Sequence, residues 1–143
     1  MFIGQYNHTI DEKGRMNMPA KFRREVTSGV VVTRGLDHCL FVYPKAEWEH
    51  MAQKLSKLPV TQKSSRAFAR LMLAGAMDAE LDSQGRIMLP EYLRQYAGVT
   101  KHVIVAGLFN RVEIWDEEKW REYQAKTEEA SDEIAEGMGE LGI

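Results

Sequence analysis

The sequence predicts a mainly antiparallel β fold with short peripheral helices, built from two copies of one half-domain. Three observations carry that prediction. Residues 10–24 (IDEKGRMNMPAKFRR) are echoed by residues 81–95 (LDSQGRIMLPEYLRQ). Apolar residues alternate with polar ones around both segments, the period of a half-buried strand. Aspartate and glycine interrupt the alternation, as turn residues do. At a constant offset of 71, Phe2 meets Leu73, Asp11 meets Asp82, Gly14 meets Gly85, Arg15 meets Arg86, Pro19 meets Pro90 and Arg23 meets Arg94. One inserted residue later the offset is 72, and Gly35-Leu36 falls on Gly107-Leu108 and Trp48 on Trp120. Two copies are too few for a solenoid and imply a pseudo-two-fold axis. Halves of about 70 residues are marginal alone. The chain, 1–143, is therefore expected to be one domain of two repeats, about 1–58 and 73–125, sharing one core. A helical segment, 62–73, would lie between them, and the acidic C-terminal tail would lack order.

Taken in order, Tyr6, His8 and Ile10 alternate with Asn7 and Thr9, and Arg15–Met18 alternate again after the DEKG turn. This predicts two strands joined as a hairpin, repeated by Met77–Leu81 and Ile87–Leu89. Pro19 and Pro90 suit the first position of a helix, giving helices at about 19–26 and 90–97, the second stopped by Gly98. A second hairpin in each copy turns at GLDH (Val30–Arg34 with Cys39–Tyr43) and at GLFN (Lys101–Ala106 with Val112–Trp115). Trp48, Met51, Leu55 and Leu58 recur at helical spacing and mark a helix over about 45–57. Phe68, Leu71 and Met72 do the same for 62–73, with Lys63, Arg66 and Arg70 on another face, read as solvated. These apolar helix faces are expected to leave surface that one core cannot cover. Asp116 is a good N-cap for a last helix that begins with Glu117 and Glu118.

No run of eighteen apolar residues exists and no basic-then-apolar leader opens the sequence, so a soluble, unexported protein is expected. Cys39, the only cysteine, lies in an apolar run and reads as a buried, inert thiol in a reducing compartment. The net charge of −2 hides an asymmetry. Residues 113–143 carry 11 acidic against 3 basic residues, a net −8 that leaves +6 on the rest. A mildly basic body with an acidic tail is compatible with a nucleic-acid binder, and equally with a solvated helix face.

The repeated element is apolar-D-x-x-G-R-apolar-x-apolar-P. Asp11 and Asp82 can close a loop by accepting backbone N–H groups, and Gly14 and Gly85 can supply a positive φ. The turn does not require arginine. A guanidinium fixed after each glycine and braced by the aspartate is either a structural ion pair or a rigid donor for phosphate or a guanine edge. Lys13 adds a charge at the first loop, where the second has Gln84.

The opening MFIGQYNHTIDEKGR, the paired DxxGR loops and VVVTRGLDHCLFVYPKAEW together resemble the MraZ family of bacterial regulators, and the likeness runs through nearly the whole chain. The resemblance implies an AbrB-type swapped-hairpin β-barrel made by two pseudo-symmetric halves of one chain. It also implies closed homo-oligomeric rings, and repression by binding short direct repeats in the promoter of the cell division and cell-wall gene cluster. The location implied is cytoplasmic and nucleoid-associated. The family's DNA-contacting loop maps onto Asp11, Lys13, Gly14 and Arg15, and onto Asp82, Gly85 and Arg86. Arg15 and Arg86 are then expected in the groove, and Lys13 and the Gly14 amide on phosphate, with lesser help from Lys21, Arg23 and Arg24. No enzyme activity, cofactor, metal, membrane contact or small-molecule substrate is expected.

Other readings are weaker. An antitoxin-like protein-interaction module on the same barrel is the alternative. An enzyme using Asp11 and Asp82 as paired carboxylates would need the loops to face each other, and no nucleophile accompanies them. His8, His38, His50 and His102 lack metal-like spacing, and DEKG and DSQG lack the remaining ligands of a calcium loop.

Overall fold

The computed structural model describes residues 1–143. The first half runs β1 (Phe2–Thr9), β2 (Arg15–Asn17), a 3-10 helix (Ala20–Val26), β3 (Val30–Arg34), β4 (Leu40–Pro44) and α1 (Lys45–Ser56). Next, α2 (Lys63–Ala69) passes through a π turn (Arg70–Ala74) into the second half. That half contains β5 (Met77–Ala79), β6 (Arg86–Met88), α3 (Glu91–Ala97), β7 (His102–Phe109), β8 (Arg111–Asp116) and α4 (Glu117–Glu129). No helix is long and apolar enough to cross a membrane.

The predicted β3–β4 and β7–β8 hairpins form, both antiparallel. The other predicted hairpins do not. β1 pairs with β7 along its whole length, from Phe2↔Phe109 to Thr9↔His102. β5 pairs with β3, and β2 pairs with β6 across the two halves. Only an isolated bridge, Ile10↔Met16, joins the flanks of the first turn. Alternation specifies which face a strand buries, not which strand lies beside it. Here the partner is set by packing: Met16 and Ile87, both fully buried, meet across β2 and β6.

The strands form two sheets. One has six strands in the order β1-β7-β8-β4-β3-β5, and the other is the β2–β6 ribbon. The larger apolar cluster draws on both halves, including Phe2, Met16, Phe22 and Val32 from the first and Ile87, Leu89, Leu93 and Val105 from the second. Phe22 is its hinge of contact. Its ring meets Phe2 and Tyr6 edge-on, at 5.1 and 5.3 Å between centroids. The intervening residues of the same strands turn the other way, so Phe41, Tyr43, Ile104 and Trp115 form a second cluster.

That second cluster also takes the helix faces expected to stay uncovered. Leu55 and Met72 are buried in it, and Trp48, Met51, Phe68 and Trp120 pack against it. The faces of α1 and α2 are thus partly covered within the chain. Cys39 lies here too, and burial, then the Glu113 carboxylate, pushes its thiol far above the usual range.

Three helical details differ from expectation. The segment after Pro19 is a 3-10 helix, tightened at its start by a 2.8 Å bond from the Phe22 N–H to the Pro19 carbonyl. The 62–73 helix ends in a π turn, and there the buried Thr33 hydroxyl donates to the Met72 carbonyl at 2.6 Å, one of the end carbonyls that a helix leaves unpaired. The tail expected to lack order carries α5 (Ser131–Glu136) and a 3-10 turn (Gly139–Leu141), exposed throughout. Asp132 and Glu133 in its first turn favour that helix through the dipole. Elsewhere the local signals hold. Gly98 ends α3 with φ +63°, and the Asp116 carboxylate caps α4 by accepting the Lys119 N–H at 3.2 Å.

Phe22→Ala should destabilise the protein by about 3–5 kcal/mol, the usual cost of an emptied aromatic site. Because the cluster spans both halves, urea unfolding followed by tryptophan fluorescence and by circular dichroism should give one coincident transition. Two separated transitions would show that the halves fold independently.

Candidate nucleic-acid interface

The two DxxGR loops are built bond for bond alike. In the first, Asp11 Oδ1 accepts the Lys13 and Arg15 N–H groups, both at 2.9 Å, and Oδ2 accepts Arg15 Nε at 2.7 Å. In the second, Asp82 Oδ1 accepts the Gln84 and Arg86 N–H groups at 2.9 Å, and Oδ2 accepts Arg86 Nε at 2.8 Å. Gly14 and Gly85 take φ +82° and +76°, where a side chain would be strained. Each aspartate is therefore a brace. The backbone N–H of Arg15, opposed by desolvation and followed by that arginine's side chain, holds the Asp11 carboxyl below the ordinary carboxylate range. Arg86 does the same for Asp82.

With Nε committed, the two outer nitrogens of Arg15 and Arg86 make no bond within the protein. A guanidinium held this way offers a fixed two-pronged edge to a planar acceptor. The ion pair and the rigid donor, alternatives in the sequence, are one arrangement. Each carboxylate is engaged three times by its own loop.

The β2–β6 ribbon sets the spacing. Arg15 lies opposite Met88 and Asn17 opposite Arg86, while Met16 and Ile87 point inward. Arg15, Asn17, Arg86 and Met88 thus share the outer face. Two residues along and one strand across, at strand spacing, put the two arginine Cα atoms roughly 8 Å apart. Asn17 and Met88 share this face and are not among the sequence candidates. The repeat aligned them, but no turn or charge signal marked them.

Each loop is latched to the other half. The Leu89 N–H donates to the Gly14 carbonyl at 2.8 Å, and the Met18 N–H to the Gly85 carbonyl at 3.0 Å. Arg94 Nε then holds the Leu89 carbonyl at 2.9 Å, and Arg23 Nε the Met18 carbonyl at 3.0 Å. Arg94 is not among the sequence candidates, and the structure brings it to the first loop. One expectation is corrected here. The Gly14 N–H is donated to the Asp11 carbonyl at 3.0 Å and Gly14 is buried, so it shapes the loop and offers no amide to phosphate. Gly85 is buried and bonded likewise. Lys13, Lys21 and Arg24 are exposed, and Arg23 is half-buried. Burial, then the Arg23 charge, pushes His8 below the usual imidazole range.

The chain is matched by a family model described as "MraZ protein, putative antitoxin-like" at two places, residues 1–71 and 72–140. A protein of Halothermothrix orenii named "Transcriptional regulator MraZ" is 50% identical over 143 residues, the whole of both chains. One of the same name from Thermoanaerobacter pseudethanolicus is 52% identical, again over the whole of both. Another, from Carboxydothermus hydrogenoformans, is 49% identical over 138 residues, 96% of each chain.

Carbon-13 NMR of the aspartate carboxyls should place the Asp11 and Asp82 titrations below those of unfolded aspartate, near 3.9. Since these pKa values are depressed by folding, their contribution to stability is present above about pH 4 and is lost as pH falls through the folded values. Asp11→Asn should raise no such low titration and should remove the contribution. An ordinary carboxylate titration at either residue would contradict the brace.

Proposed function

The chain belongs to the MraZ family, and from that premise we propose that it is a DNA-binding transcriptional regulator whose paired DxxGR loops are its reading edge. The observation that carries this is the ribbon face, which holds two braced arginines side by side with their outer nitrogens unbound. The major groove of DNA admits a two-stranded ribbon, and arginine bonding to guanine is the commonest specific contact there. Arg15 and Arg86 enter the groove. Asp11 and Asp82 hold their orientation, and Gly14 and Gly85 allow the loop path. Lys13, Lys21, Arg23 and Arg24 meet phosphate, which positions without specifying.

The family resemblance supplies the finer parts of the reading. The chain is one domain of two repeats related to the swapped-hairpin barrel. It assembles into rings and represses from direct repeats in the promoter of the division and cell-wall cluster, on the nucleoid in the cytoplasm. Self-assembly fits the hairpin tip. Phe109, 68% exposed, has φ +62°, uncommon for a bulky residue, and neighbours exposed Ile3 and Leu108. A ring placing many loops along repeated boxes raises affinity through effective concentration.

A gel shift against the chain's own promoter region tests the reading. Arg15→Ala should abolish specific binding with fold and assembly intact, since each groove contact is worth about 1–3 kcal/mol and recurs around a ring. Near-normal operator affinity in that folded variant would sink the assignment. Salt-insensitive capture of a protein partner without DNA retention would favour the antitoxin-like alternative.

Sedimentation at micromolar concentration should show a stable oligomer. A lone 16.4 kDa species would contradict the ring. Lys13→Gln should weaken operator and random DNA by similar factors and flatten the salt dependence by about 0.9 in slope per phosphate contact. An unchanged slope would place Lys13 in solvent.

A further inference from the structure

We infer that each DNA-contacting unit is assembled from both halves, Arg94 serving the Arg15 loop and Arg23 the Arg86 loop, and that the second unit is the stronger phosphate grip. The inference rests on the DNA-binding reading above and adds to it Arg94, the pairing of the arginines and their order of strength.

The geometry for the pairing is close contact. A Cβ at Gly85 would stand 2.5 Å from Arg23 Nε and 2.7 Å from its Cζ. A Cβ at Gly14 would stand 3.1 Å from both Nε and Cζ of Arg94. Each glycine thus makes room for an arginine of the opposite half, one residue before the loop's own arginine. Arg23 and Arg94 repeat the habit of Arg15 and Arg86. Nε is spent on one internal acceptor, and neither guanidinium enters an ion pair or bonds through its outer nitrogens. Each loop therefore presents two tethered forks, a suitable clamp for a phosphodiester.

The cross-pairing reverses the order of charge expected from the loops alone. Lys13 makes the first loop tip look the more basic, but Glu12 accompanies it, and residues 11–15 sum to zero, as do residues 82–86. What differs is the helix each loop receives. The first receives α3, where Glu91 offsets Arg94. The second receives the 3-10 helix, where Lys21, Arg23 and Arg24 outweigh Glu25, a net +2. Glu25 itself is paired with the terminal amine of Met1. Asp11, Glu12 and Glu91 line the same groove as Arg94, of about 420 Å³. At the second loop the repeat puts Ser83 and Ala20 in place of Glu12 and Glu91. An anion meets less repulsion there.

Anisotropy titrations of a mixed-sequence duplex over a range of salt test this without needing the operator. Arg23→Gln should weaken binding roughly tenfold, the loss of one charge-assisted bond, and flatten the salt slope by about 0.9 per contact. Arg94→Gln should cost less, on the order of threefold. In double-mutant cycles Arg23→Gln should couple to Arg86→Ala and add to Arg15→Ala, because groups that engage one partner couple while separate groups add. Arg23→Lys should keep the slope, since it keeps the charge. The inference is overturned if Arg94→Gln costs as much as Arg23→Gln, or if Arg23 couples to Arg15. It is also overturned if Arg23→Lys behaves like Arg23→Gln, which would make Arg23 a latch alone. A wild-type protein that binds no duplex at any salt would instead remove the DNA-binding reading itself.

Discussion

Strand exchange between the halves is the constraint on which the rest of this structure depends. β1 needs β7, β5 needs β3, β4 needs β8 and β2 needs β6, and each of these pairs joins one half to the other. Only the β3–β4 and β7–β8 hairpins are local. A half detached from its partner would keep one hairpin and expose Phe22 or Leu93. The DxxGR loops depend on the same exchange, since Gly14 is tied to Leu89 and Gly85 to Met18. The site is therefore a property of the joined pair, and neither copy of the motif carries it alone.

The Asp–Arg pair shows how one contact serves the loop and the surface. Arg15 and Asp11 are each about one-third exposed, and Arg86 and Asp82 are similar. Partly exposed ion pairs of this kind contribute little to stability, with a median of about 0–1 kcal/mol. Their value is orientation. An unbraced arginine side chain loses about 2 kcal/mol of rotamer freedom when it is fixed. Holding Nε in the free protein meets part of that cost before any acceptor arrives, which is the general gain from preorganisation.

Legibility of the sequence divides along the same line. Turns and helix ends were readable because their signals are local. Asp and Gly close the loops, Asp116 opens a helix, and Gly98 stops one. Strand partners were not readable, because β1 and β2 look like a hairpin in sequence and only the burial of Met16 against Ile87 separates them. The π turn at Arg70–Ala74 carries no local signal, and the Thr33 hydroxyl that bonds its Met72 carbonyl lies 39 residues away. At the site, charge and turn chemistry pointed to Arg15 and Arg86. Neither reveals that Arg94 crosses over to Gly14, or that the Gly14 N–H is already taken.

Carrying both copies on one polypeptide has a consequence for direction. In a symmetric homodimer every substitution appears twice, and the assembly looks the same from either end. Here the ribbon face has Asn17 at one corner and Met88 at the matching corner, and Lys13 is answered by Gln84. An amide can read a hydrogen-bonding edge that a thioether cannot. The surface therefore has a head and a tail, and a ligand lying along it is met in one polarity differently from the other.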